Sequence, residues 1–104
     1  MGTSVKDLEY LLTRVLNYEI ETGHHIRYTL KVNGRIVAIT RRSHSWRGST
    51  QIDKKMISNI AEQMKCSDKT LKLLLQCNAT KEDYLKELLQ KGEITQAEFD
   101  ILNF

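Results

Sequence analysis

The hydrophobic pattern changes from a helical to an alternating period early in the chain. Apolar side chains first recur three and four positions apart, at Val5, Leu8, Leu11, Leu12, Val15 and Leu16. This spacing predicts one amphipathic helix that ends near Asn17, and Asp7 stands where a capping box that begins at Ser4 requires an acid. The next residues, NYEIETG, alternate between apolar and polar, which predicts a short strand.

Residues 25–42 predict a β-hairpin. Apolar side chains occupy every second position of HIRYTLKV, as expected for a half-buried strand. Asn33 and Gly34 come next, and both tolerate the positive φ that a two-residue type I′ turn requires. This turn places Val32 opposite Arg35. The core-side row is then predicted to pair Leu30 with Val37, Tyr28 with Ile39 and Ile26 with Arg41.

The same register defines an outer row of side chains. It pairs Lys31 with Ile36, Thr29 with Ala38, Arg27 with Thr40 and His25 with Arg42. Because the helices are expected to cover the apolar row, the outer row should face solvent. We therefore expect a basic outer surface that carries His25, Arg27, Lys31 and Arg42.

Helical patterns fill the second half of the chain, after a basic loop. Residues 42–51, RSHSWRGSTQ, have no period and are rich in Ser, Gly and Arg, which is typical of a loop. Helical spacing of apolar residues returns after Asp53. Ser67, Thr80 and Thr95 then stand at the N-caps of three further predicted helices.

The order of these elements predicts the fold class. One helix, three strands and a second helix favour an α+β two-layer sandwich, in which both helices cover one face of an antiparallel three-stranded sheet. Residues 1–66 are predicted to form this α+β domain. Residues 67–104 are predicted to form a helical extension that packs on it or beside it.

Charge is distributed unevenly along the chain. Residues 24–55 contain eight cationic side chains and one acidic side chain, a net charge of +7, whereas the rest of the chain has a net charge of −4. Such a division is typical of a surface that binds a polyanion, and an ordinary solvated loop rich in arginine is the alternative.

Composition argues against several other classes of protein. No run of 18 apolar residues is present, and the N-terminus has no apolar signal segment, so we expect a cytoplasmic protein without a membrane partner. Cys66 and Cys77 lack CxxC spacing, and the three histidines lack HxxxH or HExxH spacing. We therefore expect no metal site and no cofactor.

His25 is the principal candidate for catalysis. Imidazole exchanges protons near neutral pH, so it can accept a proton from a hydroxyl group such as the 2′-hydroxyl of RNA. Arg27, Lys31 and Arg42 would then bind the phosphate and stabilise the charge that develops on it. The alternative is that His25 only forms a hydrogen bond at the end of a strand, beside Glu21.

The basic loop supplies the remaining candidates. His44 is a possible second acid or base if the loop folds over the hairpin, and otherwise it is a solvated residue. Trp46 can stack on an unpaired base, or it can fold back and close the edge of the core. Arg41 and Arg47 complete the predicted RNA-phosphate contacts.

A family resemblance covers residues 5–65. After the first helix, the segments ETGHHIRY, NGRIVAIT and IDKKMISNIAEQM resemble the HicA-type mRNA interferase toxins. The short Gly-Ser-His signature of that family, followed by an aromatic residue, is matched by Gly23, His24, His25 and Tyr28, with His24 where the family has serine. The resemblance implies a fold like that of double-stranded-RNA-binding domains, and it implies that His25 is catalytic.

Two further resemblances extend into the second half of the chain. TRRSH, AEQMKCS and LLLQCNATKEDYLKELL are similar to a group of archaeal proteins with the same hairpin and a helical extension, which implies a fold but no activity. LKELLQKGEITQAEF resembles the short C-terminal helical pair called SHOCT, which implies association with another chain.

The leading hypothesis is an RNA-binding domain that is either a metal-independent endoribonuclease of the toxin–antitoxin type or an inactive relative. The alternative is a protein-interaction module without catalysis, whose open sheet edge or helical tail binds an antitoxin-type partner. A homodimer formed through the C-terminal helices is a third possibility.

Overall fold

The computed structural model of the chain describes residues 4–43 and 46–103. His44, predicted as a second acid or base, lies outside the described residues. Within them the elements are α1 (Val5–Tyr10) with a π-helical continuation (Leu11–Val15), β1 (Glu19–Thr22), β2 (Ile26–Val32), β3 (Arg35–Arg42), α2 (Lys54–Met64), α3 (Asp68–Leu75), α4 (Lys81–Gln90) and α5 (Gln96–Leu102).

The local signals for helix starts are confirmed. Ser4 and Asp7 form the predicted capping box, as do the pairs that begin at Thr80 and Thr95. Asp53 and Ser67 cap α2 and α3 through their side-chain oxygens. These caps satisfy backbone N–H groups that have no partner within the helix, so each one fixes where its helix begins.

The three strands form one antiparallel sheet in the order β1-β2-β3, which confirms the α+β class. Asn33 and Gly34 connect β2 to β3 with φ angles of 51° and 80°, as a type I′ turn requires. The likeness to double-stranded-RNA-binding domains stays a prediction.

The hairpin contains a β-bulge that the sequence pattern did not predict. Val32 faces Arg35 and Lys31 faces Ile36, as expected, but the register then shifts and Leu30 pairs with Ala38 instead of Val37. Val37 and Ala38 are both buried, so the extra residue of β3 places two consecutive side chains toward the core. Beyond this point the predicted pairs are wrong by one residue.

The shift exchanges the two faces of the second half of β3. Thr40 pairs with Tyr28 and Arg42 pairs with Ile26, so both lie on the helix side of the sheet. Ile39 and Arg41, predicted on the core side, lie on the outer face instead. The expectation that Arg42 belongs to the basic outer surface is therefore wrong, because the bulge inverts the alternation.

Helices α1 and α2 cover the same face of the sheet. The Tyr28 hydroxyl of β2 donates a hydrogen bond to Glu9 of α1, and the Thr40 hydroxyl of β3 donates one to Gln63 of α2. Side chains from α1, the sheet, α2, α3 and α4 belong to one hydrophobic cluster, which also includes Ile94. The division of the chain at residue 66 stays a prediction.

Two tyrosines join α4 to the first half of the chain. The Tyr84 hydroxyl donates a hydrogen bond to the Met64 carbonyl at 2.7 Å, and it lies 2.6 Å from the Tyr18 hydroxyl. Because Tyr84 has only one hydroxyl proton, Tyr18 must be the donor to Tyr84. Burial is the main cause that raises the pKa of both tyrosines, so the network stays protonated at neutral pH.

This chain of hydrogen bonds predicts unequal effects of removing each hydroxyl. Tyr84→Phe leaves both the Met64 carbonyl and the Tyr18 hydroxyl without this partner, and should lower the free energy of unfolding by about 1–3 kcal/mol. Tyr18→Phe keeps the bond to Met64, and should cost about 0.5–1.5 kcal/mol. Urea unfolding followed by circular dichroism measures both, and a larger loss for Tyr18→Phe would contradict the assigned donor order.

Candidate functional site

A shallow cleft opens where β1 ends and β2 begins. It has a volume of about 340 Å³, and its lining is formed by Glu21, Thr22, Gly23, His24, His25, Arg27 and Arg41. We call it the histidine–arginine cleft. It contains three of the residues predicted as functional, namely His25, Arg27 and Arg41.

Both histidines of the cleft lie in the turn between β1 and β2. Strand pairing ends at Thr22 and Ile26, and the Gly23 amide donates a hydrogen bond to the His25 carbonyl across the turn. His24 and His25 are exposed, and their ring centroids are 5.9 Å apart in an edge-to-face arrangement. The prediction that His25 belongs to the outer row of β2 is wrong, because β2 begins one residue later.

Three charged side chains form a row across the outer face of the sheet. Glu21 pairs with Arg27, and Arg27 pairs in turn with Arg41. Glu21 Oε1 accepts hydrogen bonds from Arg27 Nε at 3.3 Å and from Arg27 Nη2 at 3.0 Å. In the part of the chain that the structure describes, Arg41 forms no salt bridge. Two like charges directly opposite each other are unfavourable, and Glu21 offsets only one of them.

The backbone of Arg41 is held by α2. Gln63 Oε1 accepts hydrogen bonds from the Arg41 amide at 3.2 Å and from the Thr40 hydroxyl. The amide that Gln63 binds lies on the free side of β3, where no strand of the described sheet pairs. The Arg41 side chain therefore extends from a fixed position into the cleft.

Arg42 is engaged on the opposite face of the sheet. Its guanidinium donates hydrogen bonds to the Tyr28 hydroxyl at 2.9 Å, to Glu9 Oε1 at 3.2 Å and to the Trp46 carbonyl at 2.9 Å. The Arg42 side chain is only 14% exposed. The predicted phosphate contact by Arg42 is not supported, because its donors are directed toward α1 and the loop.

The hydrogen bonds within this group shift the pKa values of Glu9 and Tyr28. The hydrogen bond from Tyr28 is the largest cause that lowers the pKa of Glu9, and Arg42 lowers it further. Burial, together with the bond to Glu9, raises the pKa of Tyr28 to about 12. Glu9, Tyr28 and Arg42 thus form a charged and hydrogen-bonded cluster that ties α1 to β2 and β3, and we call it the Arg42 cluster.

The other predicted phosphate contacts lie outside the cleft. Lys31 is on the outer face and pairs with Glu19, with 3.8 Å between Nζ and Oε1. Arg47 is exposed in the loop after β3. Trp46 is partly buried against the core, which is the second of its two predicted arrangements, and a role in base stacking stays a prediction.

The sequence predicted three of the cleft residues, His25, Arg27 and Arg41, but not their arrangement, and it did not predict Glu21 as a functional residue. The opposed pair Arg27 and Arg41 exists only because of the bulge at Val37. One signal was available, since residues 36–39 are four consecutive apolar side chains and fit either register of the hairpin.

Other classes of site find little support. Among residues 4–43 and 46–103, no group of three or more histidine, cysteine or acidic side chains is placed to hold a metal ion. Cys66 is buried and Cys77 is exposed, and both are free thiols. None of the helices within these residues has the length and apolar character needed to cross a membrane.

Comparisons of the chain with protein-family models, curated proteins and solved structures give no match. The HicA-type resemblance therefore stays an expectation that comes from a short motif. Function has to be inferred from the cleft itself.

The two neighbouring arginines of β3 should differ in their effect on stability. Arg42→Gln removes the donor shared by Glu9, Tyr28 and the loop, and should lower the free energy of unfolding by about 1–3 kcal/mol. Arg41→Gln removes the same charge from an exposed position, and should change it by no more than about 0.5 kcal/mol. Urea unfolding of the two variants compares them directly, and equal losses would contradict the separate placement of the two side chains.

Proposed function

We propose that the protein binds RNA through the histidine–arginine cleft. The single observation that carries this proposal is the opposed pair Arg27 and Arg41, of which only Arg27 has a carboxylate partner among the described residues. A phosphate that contacts both guanidinium groups offsets the second positive charge. Guanidinium groups are well suited to this contact, because their planar array of donors matches the oxygens of a phosphate.

The wider charge distribution favours a polyanion over a small anion. The segment that contains the cleft has a net charge of +7, and the cleft is open to solvent rather than enclosed. A long phosphate chain could therefore extend from the cleft toward Lys31 on the sheet or toward Arg47 in the loop. Contacts of this kind position a nucleic acid without reading its sequence.

The two histidines support RNA as the nucleic acid and suggest a cleavage reaction. His25 would accept the proton of a 2′-hydroxyl while the 2′-oxygen attacks the adjacent phosphorus. The bond from phosphorus to the 5′-oxygen would break, and His24 would donate a proton to that leaving oxygen. The products would be a 2′,3′-cyclic phosphate and a free 5′-hydroxyl, with Arg27 and Arg41 stabilising charge on the phosphate. This reaction needs no metal ion.

RNA binding should depend on the two arginines of the cleft. Arg27→Gln and Arg41→Gln should each weaken the binding of a single-stranded RNA by about tenfold, because each removes a charge-assisted hydrogen bond to phosphate. Each should also reduce the slope of log affinity against log salt by about 0.7. Fluorescence anisotropy in buffers from low to moderate KCl concentration measures both quantities.

The control for this experiment is Arg47→Gln, which removes an equal charge from the exposed loop outside the cleft. It should weaken binding less than either cleft variant. Binding that is insensitive to salt, or a loss that is greatest for Arg47→Gln, would exclude the cleft as the RNA site.

Cleavage is tested through the histidines. His25→Ala should slow RNA cleavage in the presence of a chelator by about 100-fold or more, because general acid–base catalysis typically contributes at least this factor. RNA with a 2′-deoxy nucleotide at the cleavage position should resist cleavage. The 5′ product of unmodified RNA should end in a cyclic phosphate. Cleavage by His25→Ala at the wild-type rate would exclude His25 as the base, while its RNA affinity shows whether the cleft still binds.

The edge of β3 favours a second candidate, a protein-interaction module. A groove of about 390 Å³ beside this strand is lined by residues 36–39, Gln63 and Lys65, and Ile36 is 51% exposed. An apolar edge strand can pair with a strand from a partner protein or a second copy. Such pairing does not require Arg27 or Arg41, so a folded protein that binds no RNA would favour this candidate.

A further inference from the structure

Glu21 is an acidic residue within a cleft that otherwise presents cations and imidazoles. It lies on the edge strand β1 and forms an ion pair with Arg27, in which the two side chains are 53% and 44% exposed. Glu19, two residues earlier on the same strand, pairs with Lys31 outside the cleft. The two carboxylates are therefore alike in strand, in exposure and in having a cationic partner. They differ in that Glu21 lines the cleft and accepts hydrogen bonds from its arginine, whereas Glu19 lies 3.8 Å from its lysine.

A phosphate that reaches both arginines has to compete with Glu21. The carboxylate uses Arg27 Nε and Nη2, which are the donors that a phosphate would also use. Ion pairs between exposed side chains are weak, so displacement of Glu21 is feasible at a small cost in affinity. Once displaced, the carboxylate still lies beside the bound phosphate and repels it in proportion to the charge of that phosphate.

We propose that Glu21 is a specificity-determining residue of the cleft, which competes with phosphate for Arg27 and lowers the affinity for a terminal phosphate by a larger factor than the affinity for an internal phosphodiester. The proposal rests on the proposed function. Glu21 lowers the formal charge that it shares with Arg27 and Arg41 from +2 to +1, so it weakens the attraction of a phosphate in proportion to the charge of that phosphate. A terminal phosphate has a charge of about −1.5 to −2 at pH 7 and is repelled more strongly by the carboxylate.

The central variant is Glu21→Gln, which removes the charge and keeps the shape of the side chain. It should bind single-stranded RNA about twofold to fivefold more tightly than the wild type, as expected from the loss of one weak competing ion pair. Glu19→Gln is the matched control and should have a smaller effect. Fluorescence anisotropy should be measured at moderate salt, because the charges outside the cleft are then largely screened.

Two small competitors test whether Glu21 acts more strongly against a terminal phosphate than against a phosphodiester. Uridylyl-uridine contains one phosphodiester, and uridine 5′-monophosphate contains one terminal phosphate. Both are titrated against labelled RNA. Glu21→Gln should improve competition by the monophosphate by a larger factor than competition by the dinucleotide, because the repulsive energy scales with charge.

The Arg27→Gln background separates local competition from a general change in charge. Glu21→Gln should have a smaller effect in this background, because the competition for Arg27 is lost and only the repulsion by the carboxylate remains, whereas a purely long-range effect would be unchanged. Four results would each overturn the inference while RNA binding through the arginines stands. They are an unchanged or weaker RNA affinity for Glu21→Gln, an effect equal to that of Glu19→Gln, equal gains for the two competitors, and no competition by either competitor. If the wild type binds no RNA through Arg27 and Arg41, the proposed function fails and the inference fails with it.

Discussion

The β-bulge at Val37 is the constraint that determines which side chains can act together. One additional residue in β3 places Val37 and Ala38 toward the core, and it exchanges the faces of every residue that follows. Arg41 thereby joins Arg27 on the outer face, and Arg42 turns toward α1. Without the bulge, Arg42 would stand opposite a residue of the β1–β2 turn and Arg41 would be directed into the helical layer.

The bulge allows two adjacent arginines to serve different purposes. Arg42 is largely buried, and Glu9, Tyr28 and the Trp46 carbonyl occupy its donors, so it contributes to packing at the end of the sheet. This arrangement also fixes the start of the loop that follows β3. Arg41 has a fixed backbone and an exposed side chain, so its charge is available to a ligand.

Local features of the fold could be predicted from the sequence, and the relation between distant residues could not. The caps at Ser4, Thr80 and Thr95 involve residues three positions apart, so a short segment contains the whole interaction. The Asn33–Gly34 turn is local in the same way. A bulge depends on how two strands pack against a core. Residues 36–39 are all apolar, so alternation along β3 could not distinguish the two registers.

The electrostatics of the cleft would connect the proposed phosphate binding to the stability of the sheet. The opposition of Arg27 and Arg41 is unfavourable for strand pairing, and Glu21 relieves it from only one side. A phosphate bound as proposed would relieve this opposition, because it would offset the charge of both arginines. The charges whose opposition is unfavourable within the sheet are thus the same charges that would give the proposed anionic ligand its binding energy.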